Sequence, residues 1–494
     1  MPAKRKCSLY MRESSSAARI LLDDVAPFSV AGGRRLRQYQ AECARAVIHS
    51  VLQNRGSVIT VMYARQMGKN ETSAQIEAYL LALHARRGGT IVKAAPSFKP
   101  QVINSILRLK SALDRNPITR GRWSPQFGYM VALGRASIAF FSADQQANVV
   151  GATASLLLEI DEAQGVDPEK YDRDFRPMAS STNATTVLYG TAWSDTSILE
   201  RQRVLNLEHQ ARTGERLHFE YDWRVLAAML PAYDHFVRAE IDRLGETHPI
   251  VQTQYLLRCL GDAGRLLSLE QLAAIQGSHA RQRGPCAGVA YVAGIDLAGA
   301  DEEAEDAVAR GLSPRCDSTV VTIAELTRDA QGNPGAKIVE HVWWTGRSQV
   351  DQYQRLLELC LRWDLSRICI DASGIGAGIA AFLASRLGER VEQFVFSAPS
   401  KSKLAYGMLA MANTARLQMY ADDRSAEWRQ WRQEVRSCRY WLRSNEQLAW
   451  GVPEREGHDD FVVSLALCCR AASVAAPPAA SGLVRAAPPD SGEW

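Results

Sequence analysis

The sequence is poor in the patterns that mark several common protein classes. Its ten cysteines include no C-x-x-C pair, and only Cys468 and Cys469 are neighbours. That excludes a zinc framework and a disulfide scaffold, and it predicts reduced thiols in a cytosolic protein. There is no run of 18 apolar residues, so no membrane-spanning helix is expected. The start, Met1-Pro2-Ala3-Lys4-Arg5-Lys6, is basic but has no apolar stretch behind it, which argues against a secretory signal. No internal repeat is visible. Excess charge of one sign is also missing: the net charge is +4 over 494 residues. The basic residues are mostly arginine, a side chain suited to phosphate.

What is present describes a globular chain of two or three domains, with 46% hydrophobic and 23% charged residues. Residues 1–30 read as a loose arm. Over 31–200, short apolar runs alternate with helical patterns, as in Val58-Ile59-Thr60-Val61-Met62, Thr90-Ile91-Val92-Lys93 and Thr186-Val187-Leu188-Tyr189. Such alternation predicts an α/β domain on a parallel-type sheet. Residues 201–283 carry no strong strand signal and read as a helical linker or lid subdomain. Gly284-Pro285-Cys286-Ala287-Gly288 marks a boundary. A second αβ pattern with a mixed sheet fills 284–474, and an Ala-, Pro- and Ser-rich tail over 475–494 is expected to be disordered.

The first chemical signal is Ala64-Arg65-Gln66-Met67-Gly68-Lys69-Asn70-Glu71, directly after a strand. A phosphate-binding loop needs a strand, a tight turn of backbone N–H groups, a lysine and a helix N-terminus, and all four occur here in order. Gly68 allows close approach and Lys69 is placed to reach the β- and γ-phosphates of ATP. Tyr63 stands where such loops carry their first glycine. Asn70 stands where Ser or Thr would ligate Mg2+, a cation that an Asn carbonyl can also serve. Downstream, the apolar run Leu156-Leu157-Leu158-Glu159-Ile160 ends in Asp161-Glu162. Asp161 is expected to hold the Mg2+ shell and Glu162 to orient or deprotonate the attacking water. Gln40, in Leu36-Arg37-Gln38-Tyr39-Gln40, is a candidate adenine reader. Gly190-Thr191-Ala192 ends the next strand, where a polar switch could sense the γ-phosphate.

The second signal lies in the C-terminal half. Asp296 ends the strand Val292-Ala293-Gly294-Ile295, Asp371 ends Arg367-Ile368-Cys369-Ile370, and His458-Asp459-Asp460 precedes a helical apolar run. Carboxylates from three distant segments that meet at one point require divalent cations to offset their repulsion. Two ions, Mg2+ or Mn2+, would then clamp a phosphodiester for in-line attack by water. Asp317 is a possible extra acid, and the acidic insert Asp301–Asp306 reads as a solvated loop.

Taken together, these motifs resemble the large subunit of tailed-bacteriophage terminases over about residues 35–472. The resemblance rests on Arg65-Gln66-Met67-Gly68-Lys69-Asn70, the Asp161-Glu162 pair, the Gly190-Thr191-Ala192 triplet, Asp296, Asp371 and His458-Asp459-Asp460. It implies a P-loop ATPase, a linker subdomain and an RNase H-like, metal-dependent nuclease. In that scheme Arg65 contacts the phosphates or acts as a sensor, Gln66 belongs to the ATP-binding loop, and Glu162 is the catalytic carboxylate. Asp296, Asp371 and Asp459 or Asp460 bind the nuclease metals, with Asp460 favoured as the direct ligand. It further implies double-stranded DNA as substrate, a portal ring and a small terminase subunit as partners, a homo-oligomeric ring during packaging, and work in the cytoplasm of a bacterial host. The long segment after Asp296 departs from the family's short spacing.

A candidate path for DNA is the run Arg429, Arg432, Arg436, Arg439 and Arg443, interleaved with Trp428, Trp431 and Trp441. A helix would put the first three on one face toward phosphates, while the last two fall on a strand around Tyr440-Trp441-Leu442. Lys401 and Lys403 form a second candidate contact. The expected activity is ATP-driven DNA translocation joined to endonucleolytic cutting. The alternatives are a helicase-like or repair ATPase with an appended nuclease, and an inactive prophage remnant that only binds DNA.

Overall fold

The computed structural model describes residues 20–147, 149, 151–261, 263–298, 318–443 and 447–475. The acidic insert at 301–306, Asp317, and the tail beyond Ala475 lie outside the described residues, as do residues 1–19 of the expected arm. The rest of that arm is folded. Helix α1 (Val25–Ala31) buries Val25 and Phe28, and the Phe28 ring meets Tyr79 edge-on at 5.4 Å.

The chain divides into two compact units, one comprising residues 1–242, 246–262 and 442–447, the other 243–245, 263–441 and 448–494. The first unit is built on an eight-stranded sheet. Its strands are β1 (Val58–Tyr63), β2 (Gly89–Ala95), β3 (Trp123–Gln126), β4 (Met130–Leu133), β5 (Ala136–Ser142), β6 (Leu157–Ile160), β7 (Thr185–Gly190) and β8 (His218–Tyr221). The order is β3-β4-β5-β2-β6-β7-β1-β8. The six strands from β5 to β8 run parallel, and the β3–β4 hairpin closes one edge antiparallel. β1, β6 and β7 are buried along nearly their whole length, which is why they read as unbroken apolar runs.

The longer helices of this unit are α2 (Gln38–Leu52), α3 (Lys69–His84), α4 (Ile103–Arg115), α5 (Ile198–Thr213) and α6 (Pro231–Leu244), with the short α7 (Pro249–Gln254) after them. Helix α3 buries ten consecutive residues, Thr72 to Leu81. Two of its polar members meet a buried lysine: Lys93 Nζ on β2 donates to Ser73 Oγ at 2.6 Å and Glu77 Oε1 at 2.7 Å, while Glu77 Oε2 has no hydrogen-bond partner. Ser73 and Tyr189 in turn donate to Glu159.

The expected helical linker over 201–283 does not form a block of its own in this division. Its β8 pairs in register with β1, so that part of the segment belongs to the first sheet. Four residues, His218-Phe219-Glu220-Tyr221, are too short to give a readable alternation. Residues 263–283 fall in the second unit, where β9 (Ala263–Arg265) pairs with a distant strand.

The second unit has strands β10 (Tyr291–Asp296), β11 (Thr319–Arg328), β12 (Pro334–Trp344), β13 (Leu365–Asp371), β14 (Val391–Phe394) and β15 (Leu417–Gln418), ordered β14-β13-β10-β11-β12-β15. β11 runs antiparallel to both β10 and β12, while β13 pairs parallel with β10 and β14 parallel with β13. β16 (Arg439–Leu442) and β17 (Leu448–Gly451) join β9 in a small second sheet. The helices used below are α8 (Ala398–Asn413), α9 (Ala426–Ser437) and α10 (Asp460–Val474).

Helix α10 is buried from Asp460 to Cys469 and carries the centre of this core. It lies directly on β10. A Cβ added at Gly294 would come within 2.1 Å of both Ser464 O and Cys468 N, so only glycine permits this backbone contact. Cys369, Cys438, Cys468 and Cys469 are free and buried here, and burial raises each thiol above its ordinary pKa.

Candidate active sites

In the first unit, β1 feeds the loop Ala64–Gly68, which opens α3. Gln66 and Gly68 take left-handed backbone angles, φ 64° and 87°. Tyr63, at the position where a first loop glycine was expected, is a core residue, its ring 5.2 Å from Tyr39 and 5.8 Å from Tyr221. Loop carbonyls are held from α2: Tyr39 Oη donates to Met67 O at 2.7 Å, and Gln40 Nε2 donates to Met67 O at 3.1 Å and Gly68 O at 3.4 Å. Gln40 Oε1 accepts from Arg37 N at 2.9 Å. Both ends of the Gln40 amide are therefore committed. Here it shapes the loop, where the sequence expected it to read adenine. A Cβ on Gly68 would lie 2.4 Å from Gln40 Nε2, which ties the glycine to this packing.

Lys69 is the first residue of α3. Its Nζ lies 2.6 Å from Glu162 Oε1 and 3.8 Å from Asp161 Oδ1. Both acids follow β6, and Glu162 takes φ 48°, an uncommon conformation for a non-glycine residue. Burial raises the Asp161 carboxyl above its usual range against the pull of Lys69 and Lys93. Burial opposes ionisation of Glu162 too, but Lys69 prevails and holds it below the usual range. Glu162 also lines a cavity of about 880 Å³ with Ser97, Gln101, Asp144 and Asp167. Asn70 lines a different cavity, of about 480 Å³, with Arg34, Asn104 and Arg108. Arg65 is exposed, and its backbone is fixed by Gln254 O, which accepts from Arg65 N at 2.8 Å, and by Tyr233 Oη, which donates to Arg65 O at 2.7 Å.

The expected Gly190-Thr191-Ala192 triplet meets this site through two glutamines that no sequence signal marked as functional. Gln164 Nε2 donates to Glu162 Oε2 at 2.7 Å, and Gln164 Oε1 accepts from Thr191 N at 3.3 Å. Gln254 Nε2, at the end of α7, donates to Thr191 Oγ1 at 3.1 Å. A Cβ on Gly190 would sit 2.0 Å from Gln164 Oε1, so the glycine makes room for the amide. Ala192 is buried in the core beside them. A continuous polar chain thus runs from Glu162 through Gln164, Thr191 and Gln254 to the backbone of Arg65. Gln164 follows the acid pair by two residues, which is the only trace it leaves in the sequence.

In the second unit, Asp296 and Asp371 end adjacent parallel strands, with Ile295 paired to Ile370. Asp460 opens α10, and Asp459 is its N-cap. The four acids share one environment. The Asp296 carboxyl is driven well above its usual range by burial first, then by Asp460, Asp371 and Asp459, with Lys401 opposing. Asp371 is raised by burial, against its hydrogen bond from Ser373 N at 2.8 Å and against Lys401. Asp460 Oδ2 accepts from Ser318 N at 2.9 Å. Among the described residues, no three His, Cys, Asp or Glu side chains converge closely enough as they stand to hold a metal ion. The donor set is nonetheless all carboxylate, the chemistry that suits Mg2+ and Mn2+, and a buried acid among like charges calls for a cation. Glu434 on α9 is a further acid that the sequence hid among arginines and tryptophans. Its Oε2 accepts from Phe461 N at 2.7 Å, and burial, with Asp460 and Asp459 adding, pushes its pKa up to about 8.

Arg429, Arg432 and Arg436 do share the exposed face of α9, while Trp428 and Trp431 are buried beneath. Of the two arginines expected on a strand, Arg439 lies on β16, whereas Arg443 follows its last residue, Leu442. Lys403 is exposed. Lys401 turns inward, with Nζ 3.5 Å from Asp459 Oδ2.

No protein-family model matches the chain, and no curated protein sequence matches it. Solved structures do. The large terminase of a thermophilic bacteriophage, in complex with ADP, aligns over 87% of this chain and 98% of its own, at 11% identity and a TM-score of 0.52. A second crystal form of that phage protein covers the same shares at 11% identity and a TM-score of 0.51. Its complex with ATP-gamma-S covers 86% and 98%, at 13% identity and a TM-score of 0.50. At these identities the likeness establishes the fold. The chain has the α/β architecture of a phage large terminase, a P-loop unit followed by an RNase H-like unit.

Proposed function

We propose that this chain is the large subunit of a phage or prophage terminase, an ATP-hydrolysing double-stranded DNA translocase that also cuts the DNA it moves. The observation that carries the reading is the Lys69–Glu162–Asp161 cluster at a strand–loop–helix turn in one unit, together with the Asp296–Asp371–Asp460 cluster in the other. In the first unit the N-terminus of α3 and Lys69 would bind the phosphates of ATP with Mg2+. Lys69 would exchange its carboxylate partner for phosphate, freeing Glu162 to orient water. The Gln164–Thr191–Gln254 chain would carry the change in Glu162 to α7 and Arg65.

In the second unit, Asp296, Asp371 and Asp460, with Asp459 beside them, would hold Mg2+ or Mn2+. Two such ions supply charge neutralisation and an activated water for phosphodiester cleavage. The exposed arginines of α9 and Lys403 are candidate phosphate contacts of the DNA. A portal ring, a small terminase subunit, a ring of copies during packaging and a site of action in the bacterial cytoplasm follow from the same reading. The deciding experiment is ATP turnover with and without linear duplex DNA, alongside plasmid nicking with Mg2+ or Mn2+. DNA-stimulated turnover and metal-dependent nicking support the proposal. Unwinding of a forked duplex would favour a helicase-like enzyme, and inactivity in both assays would leave only a DNA-binding remnant.

A further inference from the structure

The nuclease acids have a cation among them. Lys401 lies in the first turn of α8, an unfavourable place for positive charge because the helix dipole there is itself positive. Its position is nevertheless fixed from two sides. Trp450 Nε1 on β17 donates to Lys401 O at 2.8 Å, and the same indole lies under the ammonium, 4.8 Å from ring centroid to Nζ. The next residue is tied to the same strand, since Leu448 N donates to Ser402 Oγ at 3.0 Å. The ammonium reaches Asp459 Oδ2 at 3.5 Å with both side chains about a third exposed (33% and 32%). A Cβ on Gly451 would lie 3.0 Å from the same carboxylate oxygen, so β17 leaves space for Asp459 to meet the lysine. An ion pair this exposed adds little to stability, so folding alone is a weak reason to place a lysine here. About a third of its side chain stays exposed, and its charge is felt by Asp296 and Asp371 as well as by Asp459.

The geometry points to Lys401 as the resident counter-cation of the nuclease acids. Its ammonium competes with the metal for Asp459 and, once displaced, contacts the scissile phosphate. This deepens the nuclease reading and rests on it. An ammonium on an alkyl stem suits the role, because it can swing between a carboxylate and a phosphate oxygen a few ångströms away.

The test compares the full chain with Lys401→Met and Lys401→Arg. Mn2+ binding is followed by calorimetry and by the shift in thermal unfolding, and plasmid nicking is followed at saturating Mn2+. Lys401→Met is expected to bind Mn2+ about fivefold tighter, the scale of one partly exposed ion pair, yet to nick at least about tenfold more slowly for want of a charge-assisted phosphate contact. Lys401→Arg is expected to keep the parental Mn2+ affinity and most of the nicking. Its unchanged unfolding temperature would show that the site still folds. Mn2+ affinity in Lys401→Met equal to or weaker than the parent overturns the inference, as does an unchanged nicking rate. A parent chain that binds Mn2+ but nicks nothing sinks the nuclease reading instead, while calorimetry still decides whether Lys401 competes with the ion.

Discussion

Lys69 Nζ and Glu162 Oε1 are 2.6 Å apart, so the lysine proposed to bind phosphate and the glutamate proposed to orient water occupy each other. Glu162→Gln weakens that hold without removing the lysine. Nucleotide binding should persist or tighten, while hydrolysis falls by about 10²–10⁴-fold, the usual worth of a general base. Fluorescent-nucleotide titration and phosphate release measure the two separately. Lys69→Ala should abolish both. Near-parental hydrolysis in Glu162→Gln would remove Glu162 from the site.

Thr191 joins Gln164 to Gln254, and Thr191→Val keeps its shape while deleting the hydroxyl. ATP binding should be retained and turnover should drop roughly tenfold, the scale of a hydrogen-bonded link to a charged group. The stimulation by duplex DNA should fall with it. Equal stimulation ratios for variant and parent would mean that the polar chain carries no coupling.

Asp371 and Asp460 belong to the other unit. Asp371→Ala and Asp460→Asn should each abolish metal-dependent plasmid nicking while leaving DNA-free ATP turnover at the parental rate. An Asp371→Ala chain that still nicks at the parental rate would refute the assignment of the acid cluster.

His341 should make the second unit acid-sensitive. Burial and Arg281 lower its pKa from 6.5 to about 3, its Nδ1 meets Tyr420 Oη at 3.2 Å, and its Nε2 has no partner. Between pH 6.5 and about 3 the unfolded chain binds a proton that the folded chain refuses. Stability should therefore fall as pH falls through that window, with a slope from this residue of roughly 1.4 kcal/mol per pH unit. In His341→Leu that part of the slope should vanish. Urea midpoints measured across the window, with the same slope in parent and variant, would exclude the effect.

The sequence carried the chemistry that lies at element ends. Lys69, Asp161, Glu162, Asp296, Asp371 and Asp460 each adjoin an apolar strand or helix, so a period change in the residues points at them. Gln164, Gln254 and Glu434 lie inside helical or loop stretches with ordinary composition, and only the tertiary packing gives them partners. Gln40 was legible as a residue near the loop, but its hydrogen bonds to Met67 and Gly68 were not, because they span 27 and 28 positions. β8 was missed because four residues give no pattern, and pairing with β1 is what makes them a strand. Lys401 was read as a candidate DNA contact. Its inward turn depends on Trp450, 49 residues away.

The contact of Gly294 with Ser464 and Cys468 has a consequence for how this second unit can change over evolutionary time. Asp296 stands two residues beyond that contact, roughly 7 Å along a strand, and Asp460 lies four residues before Ser464, roughly 6 Å along a helix. The separation of the two acids is thus a dimension of the main chain at a point where two backbones touch. The length of the connection between β10 and β11 does not enter it. Insertions there, such as the acidic segment of this chain, can accumulate and diverge between lineages without resetting the acids, whereas a single methyl group at residue 294 would reset them.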